Sequence, residues 1–255
     1  MCPLAPVALT VAGSDSGGEA GIQADLKTFA ALKVHGVSAI TCVTAQNRKA
    51  VTRLEPCSPA MVRAQLEAVA ADFPLAAAKT GMLYSAAIVR EVAAFFRQAR
   101  RVSLVVDPVI ISTSGRRLLQ RDGVKALQRQ LLPLAALVTP NVAEAEVLIG
   151  KKITTIEDLR AAARRIRQLF GCAALVKGGH LARTNAALDF LCTDDGEWLL
   201  SAPRARGLAL HGTGCTYSAA IAAWLARGRS LGKSVELAKN HITQVIFKTV
   251  ALPLG

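Results

Sequence analysis

Two glycines flank a threonine in the stretch whose residue types most clearly favour chemistry, His211-Gly212-Thr213-Gly214-Cys215-Thr216. Such glycines let the backbone turn tightly and approach a ligand closely. The Ala-rich run that follows has no proline and predicts a buried helix over residues 213–226. The N–H groups and the positive dipole end of that helix would meet at residues 212–215, which predicts an anion-binding loop. The helix terminus is also expected to lower the pKa of the Cys215 thiol.

Other interpretations of this stretch stay open at this point. Gly212 and Gly214 could simply begin a close-packed helix in which Cys215 is a small buried hydrophobic residue. Alternatively, Cys215 could form a covalent intermediate at an oxyanion hole, although no base-and-orienter set accompanies it in the sequence. The residues that lie beside this loop decide among these interpretations.

Composition indicates an α/β protein with a large apolar core. The chain has 255 residues, 52% of them hydrophobic, and no polar linker, low-complexity tract or fixed-period repeat divides it. Six scattered cysteines without a C-x-x-C pair support neither a disulfide framework nor a zinc site. No signal-peptide pattern or membrane-spanning apolar run is present. We therefore expect one domain over residues 1–255, located in the cytoplasm, with no membrane partner.

The net charge of +13 raises the question of a polyanionic partner. The arginines fall mostly on the polar sides of predicted helices, without the interleaved aromatic residues that bind single strands. This pattern favours a solvated basic surface that attracts small anions, and we expect no nucleic-acid partner. A non-catalytic anion- or nucleic-acid-binding module remains a more distant alternative.

Short apolar runs alternate with amphipathic segments along the chain. Strands are predicted at 7–12, 37–43, 76–80, 102–107, 137–139 and 173–177, a loop at 45–56, and a hairpin at 187–193 and 197–201. Helices are predicted at 20–33, from Ser58-Pro59 onward and from Ser85 to about 98. A further helix follows the strand at 102–107 and ends near 133, and a short helix surrounds Glu144. The last three helices are predicted from Thr155 to Gly171, over 213–226 and over 231–250. Continuous apolar strands alternating with helices are typical of a mainly parallel sheet covered on both faces.

Ligands of such sheets bind beyond the carboxyl ends of the strands. The residues at these positions include separated carboxylates, an amide and a lysine: Gly13, Asp25, Gln46, Met82, Asp107, Val109, Asn141, Glu144 and Lys177. Together with the anion loop, they suit phosphoryl transfer, in which carboxylates hold Mg²⁺ and a cation contacts nucleotide phosphates. Neither G-x-x-x-x-G-K-S/T nor H-R-D is present, so kinases of the P-loop and protein-kinase types are excluded.

Eight motifs, in this order, strongly resemble the hydroxymethylpyrimidine and phosphomethylpyrimidine kinases of thiamine biosynthesis, which belong to the ribokinase superfamily. They are GSDSGG (13–18), AGIQADLKTF (20–29), TAQN (44–47), KTGML (79–83), DPV (107–109), TPNVAE (139–144), VKGGH (176–180) and HGTGCT (211–216). The resemblance covers nearly the whole chain. It implies a three-layer αβα ribokinase-like fold with a mainly parallel central sheet, helices on both faces and no separate lid domain.

On the acceptor side, the resemblance implies that Gly13, Asp25 and Gln46 hold the aminopyrimidine, in a pocket lined by Met82 and Val109. An amide and a carboxylate can recognise the donor and acceptor edge of that ring.

On the nucleotide side, the resemblance implies that Asp107 and Glu144 organise Mg²⁺ and its waters. Asn141 belongs to the same Asn-x-x-Glu element, and Lys177 would contact nucleotide phosphates, as would Thr213. Without the resemblance, Glu144 would be interpreted as a partner of the helix dipole.

The catalytic loop implied by the resemblance is Gly212, Thr213 and Gly214, which would form the anion hole. Cys215 stands where the wider superfamily has an aspartate base, so it would accept or steer the hydroxymethyl proton. His180 and His211 are interpreted as structural hydrogen-bonding residues.

Three features depart from the family pattern. Glu19 stands where another glycine is usual, residues 207–210 replace a polar lead-in to the anion loop, and the chain stops short of a glycine/histidine-rich tail. The first places a carboxylate at the pocket mouth, and the second puts nucleotide contacts from the lead-in in question.

The resemblance implies phosphorylation of 4-amino-5-hydroxymethyl-2-methylpyrimidine, and then of its monophosphate, with ATP and Mg²⁺. Pyridoxal kinase activity with the same Gly-Thr-Gly-Cys loop is the alternative. A monovalent cation is a further candidate cofactor, and a homodimer that shields the site is the expected assembly.

Overall fold

The computed structural model describes residues 5–47, 50–111, 115–179, 186–204 and 212–251. The strands are β1 (Val7–Asp15), β2 (His35–Gln46), β3 (Val51–Pro56), β4 (Leu75–Thr80), β5 (Ser103–Val106), β6 (Leu137–Val138), β7 (Ala173–Lys177), β8 (Ala186–Cys192) and β9 (Glu197–Pro203). The α-helices are α1 (Gly21–Ala31), α2 (Pro59–Asp72), α3 (Ala86–Gln98), α4 (Arg121–Ala126), α5 (Val142–Ile149), α6 (Ile156–Phe170), α7 (Thr213–Ala226) and α8 (Leu231–Ala251).

All these strands form one sheet in the order β3-β2-β1-β4-β5-β6-β7-β8-β9. The six strands from β2 to β7 in this order are parallel. At one edge β3 pairs antiparallel with β2, and at the other edge β8 pairs antiparallel with β7 and β9 pairs antiparallel with β8. The strand order reverses at β1, whose neighbours are β2 and β4. Ligands of such sheets bind in the crevice at the carboxyl ends of the strands beside this reversal.

Helices cover both faces of the sheet, as predicted. Alternate residues of each central strand face opposite layers: Leu104 and Val106 pack with α2 to α6, whereas Val105 between them packs with α1, α7 and α8. This division explains why the central strands are continuous apolar runs, because neither face meets water. The three-layer αβα arrangement with a mainly parallel sheet is therefore confirmed.

Helix α7 is buried almost all round, which confirms the prediction from its Ala-rich sequence. Its residues from 217 to 223 are almost inaccessible to solvent and pack against the sheet and α8. Small side chains permit this close approach, so the first turn of α7 is held rigidly at the carboxyl edge of the sheet.

The helix boundaries predicted from capping residues agree with the structure for α2, α3 and α6. Ser58, Ser85 and Thr155 accept N–H groups of the first turns of α2, α3 and α6, and Gly171 ends α6 in the left-handed conformation. These interactions depend only on residues within one turn, which is why the sequence predicts them.

Two segments differ from the predictions. Residues 45–56 are not a loop: β2 continues to Gln46, and Val51–Pro56 pairs with it as an antiparallel edge strand. The side chains of β3 are largely exposed, so the strand has no apolar pattern and is held by backbone pairing. The helix predicted to end near 133 is α4 followed by a π-helical turn and a short 3₁₀ turn that includes Pro133.

Three features noted in the sequence lie outside the described residues: His180 and His211, the lead-in at 207–210, and the last residues, 252–255. Among the helices that the structure describes, none has both the length and the apolar character needed to span a bilayer.

The capping box of α6 gives a test of the fold that is independent of function. Thr155 Oγ1 accepts the Asp158 N–H at 3.0 Å, so Thr155→Ala should lower the free energy of unfolding by about 1 kcal/mol in denaturant titrations. The matched control is Thr249→Ala, because that exposed hydroxyl only donates to the carbonyl of Val245 one turn back. Equal stabilities for the two variants would contradict the assigned cap.

Candidate active site

The segment after β1 forms a loop organised by one buried carboxylate, Asp15. Its Oδ1 accepts the Gly17 N–H at 2.8 Å, and its Oδ2 accepts the N–H groups of Glu19 and Ala20 at 3.1 and 2.9 Å. Gln23 accepts the Asp15 N–H at 2.9 Å, which ties α1 to the loop. The loop is therefore shaped by its own side chains. Sequence reasoning did not single out Asp15, although aspartate is a common residue of such turns.

This loop, called the β1 loop below (residues 15–20), lies directly on the predicted anion-binding loop, called the anion loop below (residues 212–215). Gly212 has φ +76°, and a Cβ built on it would stand only 1.7 Å from the Glu19 carbonyl oxygen. Gly21 has φ +59°, and its Cβ would stand 2.3 Å from the Gly13 carbonyl oxygen. Backbone therefore contacts backbone at both points, and only glycine fits.

The anion loop has the geometry predicted for it. Gly212 is the N-cap of α7, and its carbonyl accepts the Thr216 N–H at 2.9 Å. The first N–H groups of any α-helix have no acceptor one turn back, so residues 213–215 form the positive end of α7.

The predicted direction of the Cys215 pKa is wrong. Desolvation raises the pKa of the thiol above its ordinary value, and the negative charges of Asp25 and Asp107 add to this effect. The positive charge of Lys79 and a hydrogen bond from the Gly21 backbone act in the lowering direction but do not prevail. Burial is therefore the largest influence on the pKa of Cys215, and it favours the neutral thiol.

Asp25 on α1 forms a buried ion pair with Lys79 on β4. Lys79 Nζ on β4 donates to both of its carboxylate oxygens at 2.9 Å, and Thr10 Oγ1 donates to Oδ2 at 2.6 Å. Both charged residues are fully buried. Burial by itself would lower the pKa of Lys79, but Asp25 and neighbouring charges raise it overall, so the ammonium remains charged.

This placement bears on two sequence interpretations. The resemblance implies that Asp25 holds the aminopyrimidine, whereas in the structure its oxygens contact Thr10 and Lys79 and have no exposed surface. Direct contact with a ring therefore stays a prediction. Sequence reasoning missed Lys79, although a lysine inside the apolar run 75–80 is a signal, because an unpaired buried charge is very costly.

Asp107 joins three elements at the nucleotide side. Its Oδ1 lies 3.2 Å from Lys177 Nζ and 3.4 Å from Thr139 Oγ1, and its Oδ2 accepts Ser218 Oγ of α7 at 3.1 Å. A Cβ on Gly214 would stand 3.3 Å from Lys177 Nζ, so this ammonium lies beside the anion loop. The structure therefore brings together Asp107, Lys177 and the loop as predicted.

Asn141 and Glu144 form a capping box at the start of α5. Asn141 Oδ1 accepts the Glu144 N–H at 2.9 Å, and Glu144 Oε2 accepts the Asn141 N–H at 3.0 Å. Glu144 Oε1 also accepts the Ile110 N–H at 3.1 Å. Burial, together with the negative charge of Asp107, raises the pKa of Glu144 to about 7. The two carboxylates thus lie close enough to repel each other, an arrangement that a cation would stabilise.

Met82 and Val109, which are predicted to line the acceptor pocket, lie together in a small apolar cluster. Cys42, Leu118 and Leu54 complete it, and sequence reasoning missed these residues because none carries a chemical group typical of a site. Val109 has φ +42°, a strained conformation for a β-branched residue of the kind that collects at functional sites.

Gly13 borders this cluster, and Gln46 lies at the end of β2. A Cβ on Gly13 would stand 2.6 Å from Met82 Cε, so a larger residue there would displace the Met82 side chain. The backbone N–H and carbonyl of Gln46 both bond Ser16 Oγ at 2.8 Å, and Gln46 Oε1 lies 3.4 Å from Thr44 Oγ1. Gln46 is thus fixed to the β1 loop.

Comparison with known proteins places this geometry in a family. The profile of the family described as "Phosphomethylpyrimidine kinase" matches residues 15–254. The hydroxymethylpyrimidine/phosphomethylpyrimidine kinase of Haemophilus influenzae is 46% identical over 250 residues, covering 97% of this chain and 93% of the relative. A thiamine biosynthesis bifunctional protein of Geobacter sulfurreducens is 45% identical over 97% of this chain, and the chain spans 50% of that longer relative.

Solved structures agree with this assignment. A phosphomethylpyrimidine kinase of Clostridium difficile has a TM-score of 0.83 at 40% identity, covering 94% of this chain and 99% of that one. The pyridoxal kinase of Staphylococcus aureus, solved with AMP-PCP and pyridoxal, has a TM-score of 0.85 at 32% identity, covering 94% and 87%. The sequence, the ribokinase-like fold and the loop at the start of α7 agree, and the chain belongs to the phosphomethylpyrimidine kinase family of phosphotransferases.

Proposed function

We propose that the chain transfers the γ-phosphoryl group of ATP to the hydroxymethyl oxygen of 4-amino-5-hydroxymethyl-2-methylpyrimidine, and then to the monophosphate formed. These reactions would serve the biosynthesis of thiamine diphosphate. The supporting observation is that the anion loop lies between two groups of residues. We call them the acceptor half, which is the apolar cluster with Met82 and Val109, and the nucleotide half, which contains Asp107, Glu144 and Lys177. Cys215 contacts the Gly21 backbone beside the acceptor cluster, and Gly214 lies beside Lys177 on the other side.

The nucleotide half suits a triphosphate. The N–H groups of residues 213–215 would bind oxygens of the transferring group, and Lys177 would leave its 3.2 Å contact with Asp107 to neutralise the phosphates. Backbone donors fixed by a buried helix need little reorganisation as charge develops on these oxygens.

The carboxylates of this half fit Mg²⁺. The described residues contain no group of three or more His, Cys, Asp or Glu side chains that could hold a metal by themselves. Mg²⁺ is usually bound by one or two carboxylates together with waters and substrate phosphates, and Asp107 and Glu144 supply that number. When bound, the ion would neutralise charge on the ATP phosphates.

In the acceptor half, Met82 and Val109 would contact the faces of the ring, and Gln46 would bond its polar edge. The hydroxymethyl oxygen attacks the γ-phosphorus while the bond from that phosphorus to the bridging oxygen breaks, leaving ADP. The hydroxyl proton passes to the sulfur of Cys215 in its thiolate form, which Lys79 favours electrostatically.

Pyridoxal is the second candidate acceptor. It is also a ring that carries a hydroxymethyl group, and the S. aureus pyridoxal kinase matches this chain with a TM-score of 0.85. The two acceptors differ in the polar edge that Gln46 would face, so Gln46 is the residue on which we base the choice of the pyrimidine.

A homodimer, a cytoplasmic location and a monovalent-cation requirement remain predictions. Light scattering in solution would test the first. Titration of K⁺ and Na⁺ against turnover would test the third.

Mass spectrometry of reaction products tests the proposed function directly. The protein would be incubated with ATP and Mg²⁺ and, in parallel, with the hydroxymethylpyrimidine, its monophosphate and pyridoxal. The pyrimidine should give the mono- and then the diphosphate, whereas Asp107→Ala protein purified identically should give neither. Product from pyridoxal alone would overturn the substrate, and no product from any acceptor would overturn the kinase assignment.

Gln46→Ala should raise the KM for the pyrimidine by about tenfold, because one or two hydrogen bonds to a buried ring are lost. The KM for ATP should change less than twofold, since Gln46 lies on the acceptor side of the loop. Initial rates with each substrate varied in turn would measure both constants. Equal increases in both constants would count against the assigned role.

Cys215→Ala should slow phosphoryl transfer by about two to four orders of magnitude if the thiolate is a general base. Because burial raises the pKa of the thiol, the thiolate fraction increases with pH. The wild-type kcat/KM should therefore increase from neutral toward alkaline pH, and Cys215→Ala should lose this increase. A loss below tenfold with an unchanged pH profile would show that the loop backbone, not the thiol, carries the catalysis.

A further inference from the structure

A buried ion pair behind the nucleotide half takes no part in the steps above. Asp189 on β8 and Lys239 on α8 are 3% and 6% exposed, and Lys239 Nζ lies 2.6 Å from Asp189 Oδ2. Lys239 Nζ also donates to the Ala187 carbonyl at 3.0 Å. Neither residue was singled out in the sequence.

Asp189 reaches the peptide that follows Lys177. Its Oδ1 accepts the Gly178 N–H at 3.1 Å, and the same N–H lies 2.9 Å from the Leu188 carbonyl. The preceding N–H, that of Lys177, donates to the Pro140 carbonyl at 2.8 Å. The backbone on both sides of the Lys177 α-carbon is therefore fixed, and it sets the direction in which this side chain leaves β7.

Lys239 reaches the start of α7. Its Nζ lies 5.9 Å from the centre of the Tyr217 ring, at the outer range of a cation–π contact. Tyr217 is buried between Cys215 of the anion loop and Ser218, which donates to Asp107. The pair thus contacts both segments that present groups to the phosphates.

Stability alone does not account for such a pair. Desolvation of two charges often cancels their attraction, and apolar replacements of similar volume are commonly as stable. A charged pair does, however, fix the geometry of its hydrogen-bond partners, and the partner here is the residue next to Lys177.

We propose that Asp189 and Lys239 are positioning residues for nucleotide binding. They hold the Gly178 N–H so that the Lys177 ammonium stays beside Gly214, where the phosphates of ATP bind. The proposal rests on the nucleotide half of the proposed function and not on the identity of the acceptor.

Two double variants isolate the hydrogen bond to Gly178. D189L/K239M replaces both charges by apolar side chains of similar size and removes the side-chain acceptor of the Gly178 N–H, leaving only the Leu188 carbonyl. D189N/K239M also removes both charges but keeps an amide oxygen at the same place. Lys233→Met is the surface control on α8, because Lys233 pairs with the exposed Glu236 at 2.8 Å.

Calorimetric titration with ADP and Mg²⁺ measures nucleotide binding without any acceptor. D189L/K239M should weaken ADP binding by about tenfold, the size of one charged hydrogen bond, while D189N/K239M stays within about threefold of wild type. Lys233→Met should bind ADP as wild type does. In the kinase assay, D189L/K239M should raise the KM for ATP by a similar factor and leave the acceptor KM within about twofold.

Several results would overturn the proposal. Wild-type ADP affinity in a folded D189L/K239M protein would do so, as would equal increases in the KM values of ATP and acceptor. If D189L/K239M does not fold, D189A/K239M, which also lacks the side-chain acceptor of the Gly178 N–H, should still raise the ADP Kd at least threefold, and an unchanged Kd would overturn the proposal. A protein that binds ADP but phosphorylates no acceptor would refute the proposed function alone.

Discussion

The first two turns of α7 lie among three lysine–aspartate pairs of the described chain, two of which are buried, and the candidate site depends on this arrangement. The pairs are Lys79 with Asp25, Lys177 with Asp107, and Lys239 with Asp189. Each acts on a different residue of the helix: the charge of Lys79 on Cys215, a carboxylate oxygen of Asp107 on Ser218, and the ammonium of Lys239 on Tyr217. Breaking a buried pair by removing one partner is costly, so the pairs of Lys79 with Asp25 and of Lys239 with Asp189 hold the helix start in place.

On its other side, the anion loop is held by close contact between its backbone and the backbone of the β1 loop. The Glu19 carbonyl occupies the place where a side chain on Gly212 would be, and the Gly13 carbonyl does the same at Gly21. Asp15 holds the β1 loop in shape through hydrogen bonds from the loop backbone. A site ordered in advance loses less entropy on binding, and its dipoles need less reorganisation during the reaction.

The opposing influences on Cys215 show why a local rule is insufficient for a reactive group. Lys79 and a hydrogen bond from the Gly21 backbone favour the thiolate, but desolvation and two buried carboxylates favour the neutral thiol and prevail. The loop therefore combines strong backbone donors with a sulfur that is protonated at rest. In the function that we propose, the backbone donors bind phosphate charge and the thiolate of Cys215 accepts the proton, so these two tasks belong to different groups of the same short segment.

The sequence by itself determined the features that depend on near neighbours. Patterns within a turn or a strand were enough to predict the alternation of strands and helices. They also predicted the caps at Ser85 and Thr155, the burial of α7 and the order of the motifs. Only the tertiary structure decided that residues 51–56 form an edge strand, since exposed side chains give no signal of backbone pairing. It alone placed Asp25 beneath the loop, because its partner Lys79 is 54 residues away in the chain. Desolvation, and with it the pKa of Cys215, likewise depends on every element packed around a group, which no local pattern records.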